Sequence, residues 1–227
     1  MVPEINGPVY VIDCADFANP TSKPISVRKS EKRSISVLQM IQIPPNMTER
    51  FTFPIMDSSD IEYRFVHRMF MESKGAFNFQ VVSINRLYNQ TVQERFRMEV
   101  KLMARKYPKK QPTQIVKLLF HGAKTVPPEH IYTNEEGLDM RFSRAGYYGQ
   151  GIYFADNSNY SHAYAYSDSN QVFSMFLVFV IVGRTVKMAQ HDNTLRMPPL
   201  LPGSQVDRYD SVMNGTGDHT IIYSNSR

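Results

Sequence analysis

Residues 118–166 read LLFHGAKTVPPEHIYTNEEGLDMRFSRAGYYGQGIYFADNSNYSHAYAY, and this segment decides the fold and the candidate site. An apolar stretch of strand length ends at His121, and the glycine-rich turn AGYYGQG lies further along the chain. Tyr153, Ser161 and Tyr164 follow that turn. Aromatic rings and hydroxyl donors in this arrangement fit a pocket for a flat, polar cofactor.

Strands and short helices alternate within this segment. IVKLLF predicts a buried strand that places His121 at its end, and PPEHIYTNEEG predicts a brief helix with Gly137 at its C′ position. GIYFAD predicts another strand. The next helix is expected to begin at Asn157 or Ser158, since either side chain can cap it.

The flanking segments complete the fold prediction. DIEYRFVHRMFMES and TVQERFRMEVKLMARKY have the apolar period of helices, the second capped by Asn89 or Thr91, while FNFQVVSINRLYN, VFSMFLVFVIV and HTIIY read as strands. In residues 1–55 the apolar residues repeat at neither helical nor strand spacing. We interpret this segment as a linker or the edge of a neighbouring module, partly irregular. The absence of regular βαβ alternation predicts an α+β fold with two packed, mainly antiparallel sheets and flanking short helices.

Composition and charge narrow the class of protein. The 227 residues are 42% hydrophobic with a formal net charge of +5, and basic residues concentrate at 28–33 and 101–117. This charge suits an anionic ligand but falls short of the dense basic stripe of a dedicated nucleic-acid binder. Nucleic-acid binding by this chain alone is therefore the less favoured interpretation.

Cysteine usage and hydropathy indicate the compartment. Cys14 is the only cysteine, which excludes an internal disulfide or a CxxC metal knuckle and favours a reducing compartment. The N-terminus has no basic stretch typical of a secretory signal. The apolar run at 172–182 is about half the ~20 residues that a bilayer requires. We expect an intracellular protein of the nucleus or cytoplasm that has no membrane partner.

Each candidate residue also has a structural interpretation. His121 can bond a ribose hydroxyl, but a histidine at a strand end is more often structural. The glycines of AGYYGQG could fold over a pyrophosphate, although a plain loop is the default. The aromatic rings of Tyr153 and Tyr164 are at a spacing that is usually found in a core.

The order of the motifs is more specific than any one of them. LLFHG, then EEGLDMR, then YYGQGIYFADNSNYSHAY resembles the catalytic domain of the poly(ADP-ribose) polymerase family, the diphtheria-toxin-like ADP-ribosyltransferases. The resemblance runs from about Glu62 to the C-terminus and implies the ADP-ribosyltransferase fold over residues 56–227. It also implies NAD+ as substrate and no metal.

The resemblance implies a nicotinamide subsite. Gly122 looks like the glycine whose backbone holds the nicotinamide amide, and Ser161 like the serine that donates to the same amide. Tyr164 matches the tyrosine stacked on the nicotinamide ring. Tyr153 matches the second member of the family's His-Tyr-Glu signature. In the family this tyrosine contacts the other side of the nicotinamide ring.

The adenosine side is implied by other residues. His121 looks like the family histidine that bonds the adenosine ribose. Asp139, Arg141 and the loop through Gln150 match the segment that lines the adenosine and diphosphate.

The third signature position departs from the family pattern. Polymerising members carry a glutamate that bonds the ribose 2″-hydroxyl and polarises the acceptor, and matching HTIIYSNSR to that strand puts His219 there. A shift of one residue would put Asp218 there instead, since alternate strand residues face opposite sides. Because a neutral imidazole offers no fixed negative charge, His219 predicts loss of chain elongation.

These observations lead to three readings of the function. The first is an NAD+-dependent mono-ADP-ribosyltransferase that acts on protein side chains, because residues 1–55 are too short for the regulatory helical domain of some polymerases. The second is a catalytically silent member that binds NAD+ or acts as a scaffold. The chain ends at Arg227, where family members continue through another strand, which favours this second reading. The third is an RNA-associated module that uses the basic stretches.

Overall fold

The part of the chain that the structure describes forms one large sheet, one small sheet and four α-helices. A computed structural model of the chain describes residues 9–16, 51–54 and 59–225. In these ranges, ten strands belong to one hydrogen-bonded sheet and two form a separate ribbon. The described strand pairs are antiparallel apart from one parallel pair near an edge of the large sheet. The expected α+β class with mainly antiparallel sheets is confirmed.

The strands are numbered in chain order. Across the large sheet they lie in the order β10 (Thr185–Lys187), β11 (Ser211–Met213), β12 (His219–Ile222), β7 (Ile152–Ala155), β4 (Val116–His121), β9 (Phe173–Ile181), β1 (Val9–Asp16), β3 (Phe79–Tyr88) and β2 (Phe51–Pro54), with β8 (Tyr166–Ser167) paired to β9. The ribbon contains β5 (Ala145–Gly146) and β6 (Gly149–Gln150).

The strand β1 lies in the interior of the large sheet. It pairs with β3 on one side and with β9 on the other, and Tyr10, Ile12 and Cys14 are fully buried. The sequence had placed these residues in a linker or the edge of a neighbouring module. Part of that segment instead belongs to the same sheet as the candidate site, whereas residues 17–50 lie outside the described residues.

The helices begin where the sequence provides capping side chains. α1 (Ile61–Ser73), α2 (Gln90–Lys106), α3 (Pro128–Tyr132) and α4 (Ser158–His162) are the four α-helices of the described ranges. Asn89 Oδ1 accepts from the Val92 amide at 3.2 Å, and Asn157 Oδ1 accepts from the Tyr160 amide at 2.9 Å. Of the two candidates for each cap, the asparagine serves in both cases. No described helix has both the length and the apolarity needed to cross a bilayer.

The position of Gly137 differs from the expectation. Its φ of +66° agrees with the left-handed conformation predicted for a glycine. However, α3 ends at Tyr132, and Thr133 is its C-cap. Gly137 therefore lies in the turn after the helix, where its amide donates to the carbonyl of Asn134 at 3.2 Å.

The strand β9 joins the two faces of the core. Met175 and Leu177 belong to the same buried cluster as Val66 of α1 and Val100 of α2. Phe176 and its neighbours at alternate positions pack into a second cluster on the opposite face, which α3 and the following loop cover. Both faces are covered, which explains why this strand is apolar from Met175 to its end at Ile181.

A buried carboxylate ties α2 to the edge of the sheet. Asp210 accepts hydrogen bonds from Lys106 Nζ at 2.8 Å, from Tyr107 Oη at 2.6 Å and from the Arg184 amide at 2.8 Å. Burial alone would raise the pKa of Asp210, but these donors and the Lys106 charge hold it below its ordinary value. The ionised carboxylate is thus part of the folded structure.

Candidate functional site

Three neighbouring strands and α4 bring the candidate residues together. Phe120 of β4 pairs with Ala155 of β7, and the other side of Ala155 pairs with His219 of β12. The strand β7 therefore lies between the strands of the two histidines, and His121, one residue after Phe120, is on the opposite face of the sheet from His219. Two of these segments contact α4 and the residues after it: Gly122 lies against the backbone of Ser161 and Tyr164, and His219 lies against the Tyr160 ring.

The imidazole of His121 has a defined proton arrangement. Its Nδ1 lies 2.7 Å from the carbonyl oxygen of Tyr153. A carbonyl can only accept, so Nδ1–H donates and Nε2 of the neutral ring remains an acceptor. Burial lowers the pKa of His121, partly opposed by this hydrogen bond, so the neutral form is favoured. Nε2 can thus accept a hydrogen bond from a ligand hydroxyl.

Gly122 is required by packing between β4 and α4. A Cβ atom at this position would lie 2.5 Å from the carbonyl oxygen of Ser161 and even closer to the carbonyl group of Tyr164. The expectation from sequence was close approach of a ligand. In the structure the close approach is made by the backbone after α4, so Gly122 sets the distance between His121 and the α4 side chains.

Ser161 of α4 and Tyr164, just after the helix, lie within one turn of each other. Ser161 is buried, and its carbonyl oxygen accepts from the Tyr164 amide at 3.0 Å. The Tyr164 ring is 47% exposed. Tyr160 lies four residues earlier, and its hydroxyl donates to the Tyr164 hydroxyl at 3.5 Å. A half-exposed ring beside a buried serine can stack on a planar ligand.

The hydroxyl of Tyr153 is engaged within the protein. It donates to the Gly149 carbonyl at 2.8 Å and accepts from the Tyr148 amide at 2.9 Å. Burial raises the pKa of Tyr153, so the phenol remains protonated. Its ring can form one wall of a pocket, while its hydroxyl anchors the turn between β5 and β6.

The glycine-rich turn is explained by packing. A Cβ at Gly146 would lie 2.8 Å from the Tyr153 hydroxyl, and one at Gly151 would lie 2.6 Å from a methyl carbon of Ile221. Gly149 has a φ of +81° and abuts the carbonyl of Leu195. The structural interpretation of these glycines therefore accounts for all three positions, without a pyrophosphate.

His219 and Asp218 point to different surroundings. The His219 imidazole lies 3.7 Å from the Tyr160 ring, centroid to centroid. The Asp218 carboxylate accepts from Asn214 Nδ2 at 2.8 Å and from the Thr216 hydroxyl within the loop before β12. Hydrogen bonding by Thr216 lowers the pKa of Asp218. The imidazole of His219, not the carboxylate of Asp218, lies against α4.

Asp139 and Arg141 lie at a short 3₁₀ helix between α3 and β5. Asp139 is buried, accepts from the Arg141 side chain at 2.8 Å, and receives a further hydrogen bond from Asn225 at 3.2 Å. The Arg141 hydrogen bond lowers the pKa of this carboxyl. The carboxylate thus has a structural role in its loop, while Arg141 is largely exposed and available to an anion.

Two residues at the site were missed by the sequence analysis. Tyr160 lies between Tyr164 and His219, and its four-residue spacing from Tyr164 on a predicted helix is a signal that could have identified it. Asn214 contacts His219 from the loop between β11 and β12. Nothing in the local pattern around Asn214 indicates this contact.

An apolar cavity lies behind His121. Its volume is about 120 Å³, and its lining includes Phe154 and Phe176. The same two rings lie 5.4 Å and 6.4 Å from the His121 imidazole. The lining is mostly apolar, so this cavity does not suit the phosphates of a dinucleotide.

The described residues thus form an α+β domain in which a glycine-dependent backbone contact, a histidine and two tyrosines lie at α4. Residues 61–220 match the family profile described as the poly(ADP-ribose) polymerase catalytic domain. The chain therefore belongs to this family. Domains of the family use NAD+ as a substrate.

Curated relatives agree with this assignment. A probable poly [ADP-ribose] polymerase of Dictyostelium discoideum is 30% identical over 72% of this chain and 46% of its own length. The protein mono-ADP-ribosyltransferases PARP12 and PARP14 of Homo sapiens are 29% and 31% identical over 74% and 68% of this chain. Those alignments cover 23% and 8% of the two human proteins. The chain thus spans less than half the length of these relatives.

Proposed function

We propose that this chain is an NAD+-dependent mono-ADP-ribosyltransferase that modifies protein side chains and releases nicotinamide. The observation that carries the proposal is the imidazole of His219 beside Tyr160. In this proposal His219 takes the position at which chain elongation in the family depends on a carboxylate. Relatives named mono-ADP-ribosyltransferases support the same reading.

The nicotinamide would be held by α4 and β4. In this proposal the rings of Tyr164 and Tyr153 enclose the nicotinamide, and Gly122 and Ser161 bond its amide. The half-exposed Tyr164 ring and the engaged hydroxyl of Tyr153 support stacking rather than polar contact as their contribution. Rigid placement of these groups would hold the leaving group in a reactive orientation.

The adenosine and diphosphate would lie toward His121 and Arg141. The free Nε2 of His121 is suited to accept from a ribose hydroxyl, since its Nδ1–H is used by Tyr153. The exposed guanidinium of Arg141 is suited to bind a phosphate. Asp139 accepts a hydrogen bond from Nε of Arg141 and so orients that side chain. Asp139 acts in this proposal as a support for Arg141 rather than as a direct ligand.

The chemistry requires little beyond orientation and charge. The bond between the nicotinamide nitrogen and the ribose carbon breaks, nicotinamide leaves with the bonding electrons, and the acceptor oxygen bonds to that carbon. Positive charge develops on the ribose in the transition state. Because His219 offers no fixed negative charge, an acceptor carboxylate of the target protein would supply it. One ADP-ribose unit is then transferred, since a further ribose hydroxyl acceptor would lack a base.

The proposal is tested with isotope-labelled NAD+ and a mixture of acceptor proteins. We expect labelled nicotinamide release together with adducts that contain a single ADP-ribose, detected by mass spectrometry. Tyr164→Ala should abolish both signals. Phe77→Ala removes another aromatic ring, 53% exposed, outside the site and should retain them. Long polymer would contradict mono-transfer.

The second candidate is a silent family member that binds NAD+ without reaction. The enclosed Nε2 of His219 and the Tyr160 ring against it favour this candidate. It predicts thermal stabilisation by NAD+, because a ligand that binds the native state raises its stability, with no release of nicotinamide. The same variants, Tyr164→Ala and Phe77→Ala, separate specific from non-specific stabilisation.

A further inference from the structure

The sheet face beneath α3 is incompletely filled. Phe154 of β7 and Phe176 and Val178 of β9 are buried on this face, which α3 and the loop after it cover. However, α3 has only five residues. An apolar cavity of about 120 Å³ remains beside it, and the start of α2 also lines this space. Protein interiors seldom keep voids larger than a water molecule, so a space of this size marks a candidate ligand site.

The start of α2 borders this cavity without filling it. Val92 and Gln93 belong to the lining, but the buried clusters of described residues include neither of them. Val100 and Met103, further along the helix, pack into the cluster on the opposite face of the sheet. The helix thus contributes its large buried side chains elsewhere and leaves the cavity open beside its first turn.

An ion pair marks the point where the cavity reaches the surface. Arg95 and Glu136 both belong to the lining, and Arg95 Nη1 lies 2.9 Å from Glu136 Oε2. Their side chains are 41% and 31% exposed, so a ligand can enter beside them. Because these two charges pair with each other and most of the lining is apolar, the cavity favours an uncharged ligand.

Aromatic side chains from several elements line the cavity. Phe96 of α2, Tyr132 of α3, Phe154 and Phe176 all contribute to it. Such rings favour edge or offset contacts with another ring. An apolar cavity of about 150 Å³ is large enough to bind benzene. The volume of about 120 Å³ in this chain therefore suits one ring rather than a dinucleotide.

We propose that this cavity is a binding site for an uncharged molecule with a single aromatic ring. The site does not depend on the NAD+ reaction. It adjoins the candidate site, because the rings of Phe154 and Phe176 lie 5.4 Å and 6.4 Å from the His121 imidazole. A ligand in the cavity contacts these two rings, so binding changes the packing beside His121.

Benzene is the probe, and methyl NMR of the ¹³C-labelled full chain locates it. We expect saturable shifts and intermolecular NOEs at Val92, Leu138 and Val178, which line the cavity, and none at the exposed Val82. Benzoate brings a charge to the same space and should bind at least about tenfold more weakly. An absence of saturable shifts at the lining methyl groups, or equally tight binding of benzoate, overturns the proposal.

Variants that fill the cavity test its location. Gln93→Trp adds a large side chain from the half-buried first turn of α2 and should weaken benzene binding at least about tenfold. Gln90→Trp is the matched control, because Gln90 is exposed on the same helix and outside the described lining. Val178→Phe fills the space from β9 and does not depend on how the new tryptophan is oriented. Unchanged benzene affinity in both filling variants overturns the assignment to this cavity.

The ring protons of His121 test the connection to the candidate site. Their signals should shift with the same dependence on benzene concentration as the Val178 methyl groups. Unmoved His121 signals in a chain that binds benzene overturn this connection. A chain that binds benzene but releases no nicotinamide from NAD+ supports the cavity site and contradicts only the proposed function.

Discussion

The Tyr160 ring lies 3.7 Å from the His219 imidazole, centroid to centroid, with an angle of 37° between the two planes. Its hydroxyl lies 3.5 Å from that of Tyr164, at the upper limit for a hydrogen bond. Tyr160 thus contacts both Tyr164 and His219, and its ring contributes more to these contacts than its hydroxyl.

Substitution of Tyr160 should separate these two contributions. Tyr160→Ala removes the ring and should weaken NAD+ binding and lower the free energy of unfolding by at least about 0.5–1.5 kcal/mol, the range for an aromatic contact. Tyr160→Phe keeps the ring and should resemble the wild type. NAD+-dependent thermal shift and urea unfolding measure the two effects. Equal losses in both variants would show that the hydroxyl is the important group.

Gly122→Ala should disrupt the site through the backbone. The added methyl group would overlap the carbonyl groups of Ser161 and Tyr164, which are backbone atoms and cannot rotate away. We expect a loss of stability of about 1–3 kcal/mol, as for overpacking, together with loss of the NAD+-dependent thermal shift. Gly203→Ala is the control for NAD+ binding: its φ of +78° strains an alanine, but no atom lies near the added carbon. Equal binding of NAD+ by both variants would contradict the packing role.

Acidification should reveal the neutral state of His121. Burial lowers its pKa in the folded chain below the ordinary value of 6.5, so the unfolded chain binds more protons as pH falls through this value. Folding stability should therefore decrease from about pH 7 toward about pH 5, by at most about 1.4 kcal/mol per pH unit for one histidine. His67, whose pKa burial also lowers, adds to the slope.

The comparison with His121→Gln isolates this contribution. The variant should show a smaller decrease in unfolding free energy over the same pH range, measured by urea denaturation at each pH. An unchanged slope would mean that His121 is not kept neutral by its surroundings.

Local sequence patterns predicted those helices and strands in which the repeat of apolar residues is visible within a single continuous segment. α1, α2 and β9 were found in this way, and Asn89 and Asn157 cap helices as expected. The pattern of β1 is short and interrupted on both sides, and its partners lie far along the chain, so its pairing could not be predicted from local spacing.

The candidate site shows the same contrast between features that a local pattern predicts and contacts that depend on distant parts of the chain. The motif order predicted that His121, Tyr153, Ser161 and Tyr164 belong together. The contacts of His219 with Tyr160 and Asn214 depend on the register of β12 and on the loop before it, which alternation alone left open by one residue.

Asp210→Ala should destabilise the chain far more than loss of an exposed carboxylate. Removal of Asp210 leaves the Tyr107 hydroxyl and the Arg184 amide without their acceptor, and each buried donor left unsatisfied typically costs about 1–3 kcal/mol. Asp156→Ala is the control, because its 3.9 Å contact with Lys117 is largely exposed and contributes about 1 kcal/mol or less. Urea unfolding of both variants gives the comparison, and similar losses would contradict the structural role of Asp210.

A chain that begins at residue 56 should not fold cooperatively. Such a truncation removes β1, whose backbone joins β3 to β9, together with the buried side chains of Tyr10, Ile12 and Cys14. Each buried apolar side chain contributes about 1.5–3 kcal/mol, and their sum approaches the whole stability of a typical domain, about 5–15 kcal/mol. Glu62 would also lose the hydrogen bond that the Tyr10 hydroxyl donates at 2.6 Å.

Point variants distinguish the contribution of the β1 side chains to stability from the effect of shortening the chain. Ile12→Ala removes a fully buried side chain and should lower the unfolding free energy by about 2–5 kcal/mol. Val82→Ala, at a strand position that is 51% exposed, should change it by less than about 1 kcal/mol. Circular dichroism during urea unfolding measures all three proteins. A truncated chain with the same midpoint as the full chain would place the domain boundary at residue 55 after all, and β1 would then be dispensable for the sheet that holds the site.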